Sequence, residues 1–169
     1  TYKYQNDFKE HRLNSGFKIF LPEYFFVRNF QEGLIATAFS GKNLLDGYGF
    51  LIEAQMHNHE KINLDLKASD LKKAKTLTQV YEKQKDNYYF LSGINSEGLF
   101  KALYIRDYNT LEMTFKPTLS SRTYELQQIQ KAIIEAVDVG SVSEVQARNR
   151  NLEIARQQIL KSYKGMETL

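Results

Sequence analysis

The chain has 169 residues, 42% of them hydrophobic and 25% charged, which suits one globular domain with a sizeable core. Its 23 Lys and Arg residues against 20 Asp and Glu residues give a net charge of +3, too small and too evenly spread to predict a nucleic-acid surface. No cysteine is present, so disulfides, thiol nucleophiles and thiolate-bound metals are excluded.

The apolar runs of the chain are short. The longest ones, at 24–26 and 88–91, fall far below the roughly 20 residues that cross a bilayer, so no transmembrane segment is predicted here. The first residue is Thr1 rather than Met, and we therefore expect that an upstream segment was removed, either a signal peptide or the region of a lipid anchor.

Strand-length apolar runs recur in the first third of the chain. They are bounded by Pro22, by the turn signal at 31–33 and by a loop at 40–47 that contains Gly, Asn and Asp. The second and third runs are expected to pair with each other across their short turn. In chain order, the predicted strands are residues 17–21, 24–30, 34–39 and 48–56.

The periodicity changes around Ser69. This residue is a candidate N-cap with Asp70 in the first turn, and apolar residues then recur at helical spacing. The sequence therefore predicts an amphipathic helix from Ser69 onward. Its apolar stripe consists of Leu71, Ala74, Leu77, Val80 and Tyr81.

Residues 87–117, NYYFLSGINSEGLFKALYIRDYNTLEMTFKP, predict three strands joined by turns at 95–98 and 107–109. The last strand alternates apolar and polar residues, so one of its faces lies on a core and the other in solvent. In the first strand both alternating faces are apolar. Both sides of the sheet must therefore be covered there, by helices on both faces or by a partner on one.

Two helices follow the predicted strands. The stripe of Leu126, Ile129, Ile133 and Val137 predicts one that ends at Gly140. Ser143 and Gln146 then form a capping-box pattern for another that runs to about Tyr163. The sequence thus predicts an α+β fold, an antiparallel sheet with helices packed on its faces.

Three segments carry a family resemblance: GFKIFLPEYF, YYFLSGINSEGLFKALYI and YELQQIQKAIIEAV. With the order of the predicted elements, they resemble the Mog1/PsbP-like fold family over residues 15–138. The resemblance implies an α/β/α sandwich. From the order of the elements and Gly140, the chain is expected to form a domain of residues 1–140 with residues 141–169 as a C-terminal helical extension. Members of that fold class are mostly binding or assembly modules, and the family supplies no catalytic residues.

His57 and His59 are the candidate metal ligands. They stand two residues apart at the end of a predicted strand, so they can point the same way, and Glu60 or His11 would add a further donor. The alternative is a polar, solvated strand end, because no local spacing fixes a third ligand.

No motif predicts catalysis or a bound cofactor. Ser92-Gly93 lacks the small preceding residues and the following helix of a nucleophile elbow. The segment GKNLLDG, residues 41–47, lacks the glycine spacing and the Lys-Ser/Thr pair of a phosphate-binding loop. The chain is therefore predicted not to be an enzyme and to need no cofactor.

The last helix has a narrow apolar stripe and carries five basic residues against three acidic ones. A solvated face is one interpretation, and a docking helix for an acidic protein partner or an anionic membrane surface is the other. Homo-oligomerisation through this helix is a further alternative. The candidate partner-binding residues are Leu152, Arg156, Ile159 and Tyr163.

Three functional hypotheses follow. The leading one is a non-catalytic protein-binding or assembly domain of a bacterial envelope or secretion-related protein, either periplasmic or anchored outside the cytoplasm as a lipoprotein, with a cytoplasmic location as the alternative. The second is a carrier that holds a small molecule or lipid in an aromatic-lined cavity between sheet and helices. The third is a hydrolytic or metal-dependent enzyme centred on His57 and His59.

Overall fold

A computed structural model describes residues 7–14, 16–30, 32–37, 50–85, 87–117, 123–140 and 142–167. The chain divides into two compact units, Thr1–Val139 and Gly140–Leu169. The elements described in the first unit are β1 (Phe8–Arg12), β2 (Lys18–Pro22), β3 (Phe26–Phe30), β4 (Gly33–Thr37), β5 (Phe50–Asn58), α1 (Leu64–Ala74), β6 (Thr78–Gln84), β7 (Tyr89–Ile94), β8 (Phe100–Ile105), β9 (Asn109–Pro117) and α2 (Thr123–Ala136). The predicted loop at 40–47 lies outside the described residues.

Strands β3 to β9 form a seven-stranded sheet in the order β3-β4-β5-β9-β8-β7-β6, and β1 pairs with β2 in a separate two-stranded sheet. Every strand pairing in both sheets is antiparallel. With helices in the same unit, the chain belongs to the α+β class, as the sequence predicts.

The three strands predicted within residues 87–117 are confirmed as β7, β8 and β9. Asn95 fixes the first turn, because its side-chain oxygen accepts hydrogen bonds from the backbone of Glu97 at 2.9 Å and of Leu99 at 3.0 Å. Gly98 adopts a φ of +79°, a conformation that other residues rarely take. Local turn chemistry therefore sets the register of this meander.

The main core lies on one face of the large sheet, under β2 and α2. Backbone hydrogen bonds in both directions, each 2.9 Å long, tie Lys18 of β2 to Asp138, just beyond α2. This pairing holds the two covering elements side by side over the sheet. Buried side chains of this core include Phe17, Ile19, Leu21, Ile52, Leu111, Met113, Phe115 and Ile133.

A smaller core lies on the opposite face, where α1 covers β7 and β8. Ala68 of α1 packs there with Tyr89, Leu91 and Ile105. Phe90, between Tyr89 and Leu91, belongs instead to the main core. Strand β7 is thus covered on both faces, as its two apolar faces predict.

The predicted helix start at Ser69 is wrong. The helix α1 begins earlier, at Leu64, because the side chain of Asn63 caps it by accepting hydrogen bonds from Asp65 N at 2.9 Å and Leu66 N at 3.2 Å. Ser69 lies inside the helix, where its backbone is already bonded.

The predicted continuation of this helix through Val80 and Tyr81 is also wrong. The helix ends at Ala74, since Lys75 adopts a left-handed conformation with a φ of 50°. The next residues form β6, an edge strand that pairs with β7. Thr78, Val80 and Tyr81 favour strand, and pairing with β7 outweighs the accidental helical spacing.

Arg106 is a buried cation that the sequence analysis does not single out. Its guanidinium donates from Nε to Asn109 Oδ1 at 2.7 Å and from Nη1 to the carbonyl of Val139 at 3.0 Å. It also lies 3.9 Å from the centre of the Phe17 ring. This side chain therefore joins the turn before β9 to the segment after α2.

The second unit contains the helix α3 (Val142–Glu167). The predicted helix is confirmed, but it begins one residue before the expected cap Ser143 and extends beyond Tyr163. None of the helices within the described residues combines the length and the hydropathy needed to cross a membrane.

Candidate functional site

The two candidate metal ligands lie where β5 meets β9. His57 is exposed, and its Nε2 lies 3.7 Å from a carboxylate oxygen of Glu112. His59 has both ring nitrogens engaged: Nδ1 is 2.9 Å from the carbonyl of Glu60, and Nε2 is 2.9 Å from Thr110 Oγ1. A carbonyl only accepts, so Nδ1 carries the proton and Nε2 accepts from Thr110.

This arrangement leaves neither nitrogen of His59 open to a metal. Across the described ranges of the chain, no group of three or more His, Asp or Glu side chains is placed to hold a metal ion. His11, the further donor considered, belongs to the separate β1–β2 sheet, and burial lowers its pKa. His57 and His59 therefore act in this structure as hydrogen-bonding and surface groups.

A concave groove of about 700 Å³ lies between the β6–β8 part of the large sheet and α2. We call it the aromatic groove. Tyr81 and Lys83 of β6 form one side, and Ile134 and Glu135 of α2 form the other. The residues between them include Tyr88, Phe90, Ser92, Phe100 and Tyr104.

Strand register explains why these side chains meet. Lys83 lies opposite Phe90, and Phe90 lies opposite Tyr104 on the next strand. Tyr81 lies opposite Ser92, one step along the same face. Because directly paired residues of an antiparallel sheet share a face, all five point toward α2.

The rings in the groove pack against one another. The centres of the Tyr81 and Phe90 rings are 6.1 Å apart, and those of Phe90 and Tyr104 are 4.9 Å apart. Such tilted and edge-to-face pairs are the favoured arrangements of aromatic side chains. Tyr81 nevertheless remains 61% exposed, so one ring of this row offers apolar surface to solvent.

Tyr104 anchors the helical wall. Its hydroxyl donates a hydrogen bond of 2.5 Å to the backbone carbonyl of Ile134. Burial raises the pKa of Tyr104 well above its ordinary value, and the charges of Tyr88 and Glu135 raise it further. The phenol therefore stays neutral and keeps donating to α2 throughout the physiological pH range.

Two polar groups of the groove stand out. Ser92 is only 6% exposed, yet its hydroxyl makes no hydrogen bond to any group that the structure describes. Lys83 is exposed and has no carboxylate within ion-pair distance among the described residues. Across the groove, by contrast, Lys131 lies 3.9 Å from Glu135. Buried hydroxyls normally find a partner, so Ser92 is suited to a bound molecule or water.

The candidate partner-binding residues of α3 are all exposed: Leu152, Arg156, Ile159 and Tyr163. They follow one another at intervals of four, three and four residues, so they line a single side of the helix. We call this set the α3 stripe.

The sequence signal for the aromatic groove was incomplete. The carrier hypothesis expected an aromatic-lined cavity between sheet and helices, but Val80 and Tyr81 were expected to be helical, so Tyr81 and Lys83 were not placed beside Phe90. A scan against protein-family models found no match to this chain, and searches of the curated proteins and of the solved structures found none either. The function of this chain is therefore inferred from its own geometry.

Proposed function

We propose that the first unit binds a small, largely apolar molecule in the aromatic groove and works as a carrier or binding module without catalysing a reaction. The observation that carries this proposal is a row of aromatic rings beside the buried hydroxyl of Ser92, which has no partner among the described groups. The groove volume of about 700 Å³ is typical of sites for small molecules, which span roughly 300–1,000 Å³.

The aromatic rings and the Ser92 hydroxyl have separate roles in this proposal. The exposed ring of Tyr81 and the half-buried rings of Tyr88 and Phe100 supply apolar area, and covering this area with a ligand releases it from water. Ser92 offers a hydroxyl that can donate or accept one hydrogen bond from a polar atom of the ligand. A molecule with a flat apolar body and at least one polar group meets both requirements.

The test is a calorimetric titration with naphthalenemethanol, an uncharged aromatic alcohol. We expect saturable one-to-one binding that Tyr81→Ala weakens about fivefold to tenfold, the equivalent of one lost aromatic contact. The matched control is Tyr163→Ala in α3, where the tyrosine is exposed to nearly the same extent, 63% against 61%.

Two results would contradict the proposal. One is the absence of saturable binding to the unmodified chain. The other is an equal loss of affinity in Tyr81→Ala and Tyr163→Ala, which would place binding outside the aromatic groove. Circular dichroism of both variants checks that the fold is retained.

The α3 stripe favours a second function, binding of a protein partner. Three of the four exposed residues in this stripe are apolar, and alternating intervals of four and three residues are typical of a helix that packs along another helix. The helix carries five basic and three acidic residues, so we propose a partner helix that is apolar on one side and acidic at its flanks. A second copy of this chain would bring like charges together.

The family resemblance supports a binding role in either form. Mog1/PsbP-like domains are mostly binding or assembly modules, and a member would be expected to hold a partner rather than to catalyse a reaction. The comparisons returned no member of that family, so the assignment to it stays a prediction.

A further inference from the structure

We propose that the aromatic groove selects organic acids: Lys83 binds the anionic group while the apolar body of the ligand lies against Tyr81 and its neighbouring rings. This inference rests on the proposed ligand-binding function and adds the chemical class of the ligand.

Lys83 lies beside the row of aromatic rings on β6. Its direct cross-strand neighbour is Phe90, which lies in turn opposite Tyr104. The ammonium group therefore stands on a flexible four-carbon stem at the open edge of the ring row. Tyr81, two residues before Lys83 on the same face of β6, is the exposed ring of the row, so a ligand whose body covers it brings its end group within reach of that ammonium.

No described carboxylate neutralises the charge of Lys83. Glu82, its neighbour along the chain, points to the opposite face of β6. There it accepts a hydrogen bond of 2.5 Å from Tyr89 and forms an ion pair of 3.1 Å with Lys72 of α1. Successive residues of a strand face opposite sides, so Glu82 leaves the charge of Lys83 to the groove.

The opposite wall of the groove, formed by α2, carries one basic and one acidic side chain. Lys131 and Glu135 lie there 3.9 Å apart, at positions four residues apart on α2, and offset each other's charge. Among the described residues that line the groove, the uncompensated charge is therefore positive and lies on the β6 side. An anion beside Lys83 would be attracted, whereas one beside Glu135 would be repelled.

The experiment compares naphthoate with naphthalenemethanol, which have the same ring and differ in charge. At low ionic strength, we expect the unmodified chain to bind naphthoate about fivefold more tightly, the upper range for one solvent-exposed ion pair. Lys83→Gln should abolish this preference, so that the variant binds naphthoate and naphthalenemethanol with equal affinity. Lys85→Gln is the matched control, because Lys85 is exposed just after the same strand and does not line the groove.

The outcomes separate the inference from the function on which it rests. Equal affinity for the two probes in the unmodified chain overturns the inference and leaves the proposed function standing. A preference that survives Lys83→Gln but disappears in Lys131→Gln overturns the assignment to Lys83. If neither probe binds, the proposed function fails and the inference fails with it.

Discussion

At the scale of single residues, the Tyr104 phenol lines the aromatic groove and also contributes to the free energy of unfolding. It is 3% exposed and donates to the carbonyl of Ile134, and burial raises its pKa well above the ordinary value. The folded state therefore keeps its proton at pH values where the unfolded chain loses it. A pKa raised by folding means that the associated stability is fully present below the unfolded value near 10 and declines above it.

We therefore predict that Tyr104→Phe flattens the alkaline decline in stability. Between about pH 10 and the folded pKa, this single phenol should lower the free energy of unfolding by about 1.4 kcal/mol per pH unit. The variant lacks that contribution, and at neutral pH it should be less stable by about 1 kcal/mol because the hydrogen bond to Ile134 is lost. Urea denaturation followed by circular dichroism measures both effects. Equal alkaline slopes in the two chains would contradict the prediction.

Residue types alone did not determine the roles of the histidines. Sequence spacing brought His57 and His59 together as candidate ligands, but the hydrogen bond to His59 Nε2 comes from Thr110, 51 residues away. That contact exists because β5 pairs with β9, a pairing without a local signature. Arg106 was missed for the same reason, since its acceptor at Val139 lies 33 residues further on.

At the scale of elements, sequence reasoning succeeded where local chemistry decides the structure. The strands around Asn95 and Gly98 follow from turn residues, and α2 follows from its apolar stripe. The segment at 78–84 was misread because its apolar spacing fits a helix of 3.6 residues per turn, whereas its strand form is fixed by pairing with β7. Because of this error, the β6 side of the aromatic groove was not predicted from the sequence.

The α3 stripe provides a prediction at this scale. Leu152 and Ile159 are 39% and 57% exposed, so replacing both with Ala should change the free energy of unfolding by no more than about 0.5 kcal/mol. The same double variant should lose binding to a synthetic amphipathic helix with leucine on one side and glutamate at the flanks. Urea denaturation measures the first effect and fluorescence anisotropy of the labelled peptide measures the second.

Ile154→Ala is the matched control for this variant. Ile154 is 51% exposed, close to the value for Ile159, but lies about 140° away around the helix at roughly 100° per residue. Peptide binding should persist in this control. A loss of several kcal/mol in the double alanine variant would show instead that these side chains are buried and that α3 has a structural role.

At the scale of the whole molecule, the α+β class could be predicted because the helices and the strands other than β1 and β6 each contribute an apolar pattern of their own. The order of the strands could not. Strand β5 lies between β4 and β9, and its pairing with β9 joins distant parts of the sequence. The aromatic groove exists only after that order is set, because its rings come from three neighbouring strands.

The last prediction concerns the independence of the first unit. Every buried residue of the two hydrophobic cores described above lies between Leu13 and Val139, and Arg106 donates to Asn109 and to the Val139 carbonyl within the same range. A chain that lacks residues 141–169 should therefore unfold in one cooperative transition, with a free energy of unfolding within about 1 kcal/mol of the full chain. It should also keep its affinity for naphthalenemethanol, since the lining of the aromatic groove is complete by Val137. Urea denaturation and calorimetry test these two expectations on one protein. Loss of the cooperative transition would mean that α3 is required for folding, and the assignment of the α3 stripe to a partner would then fall.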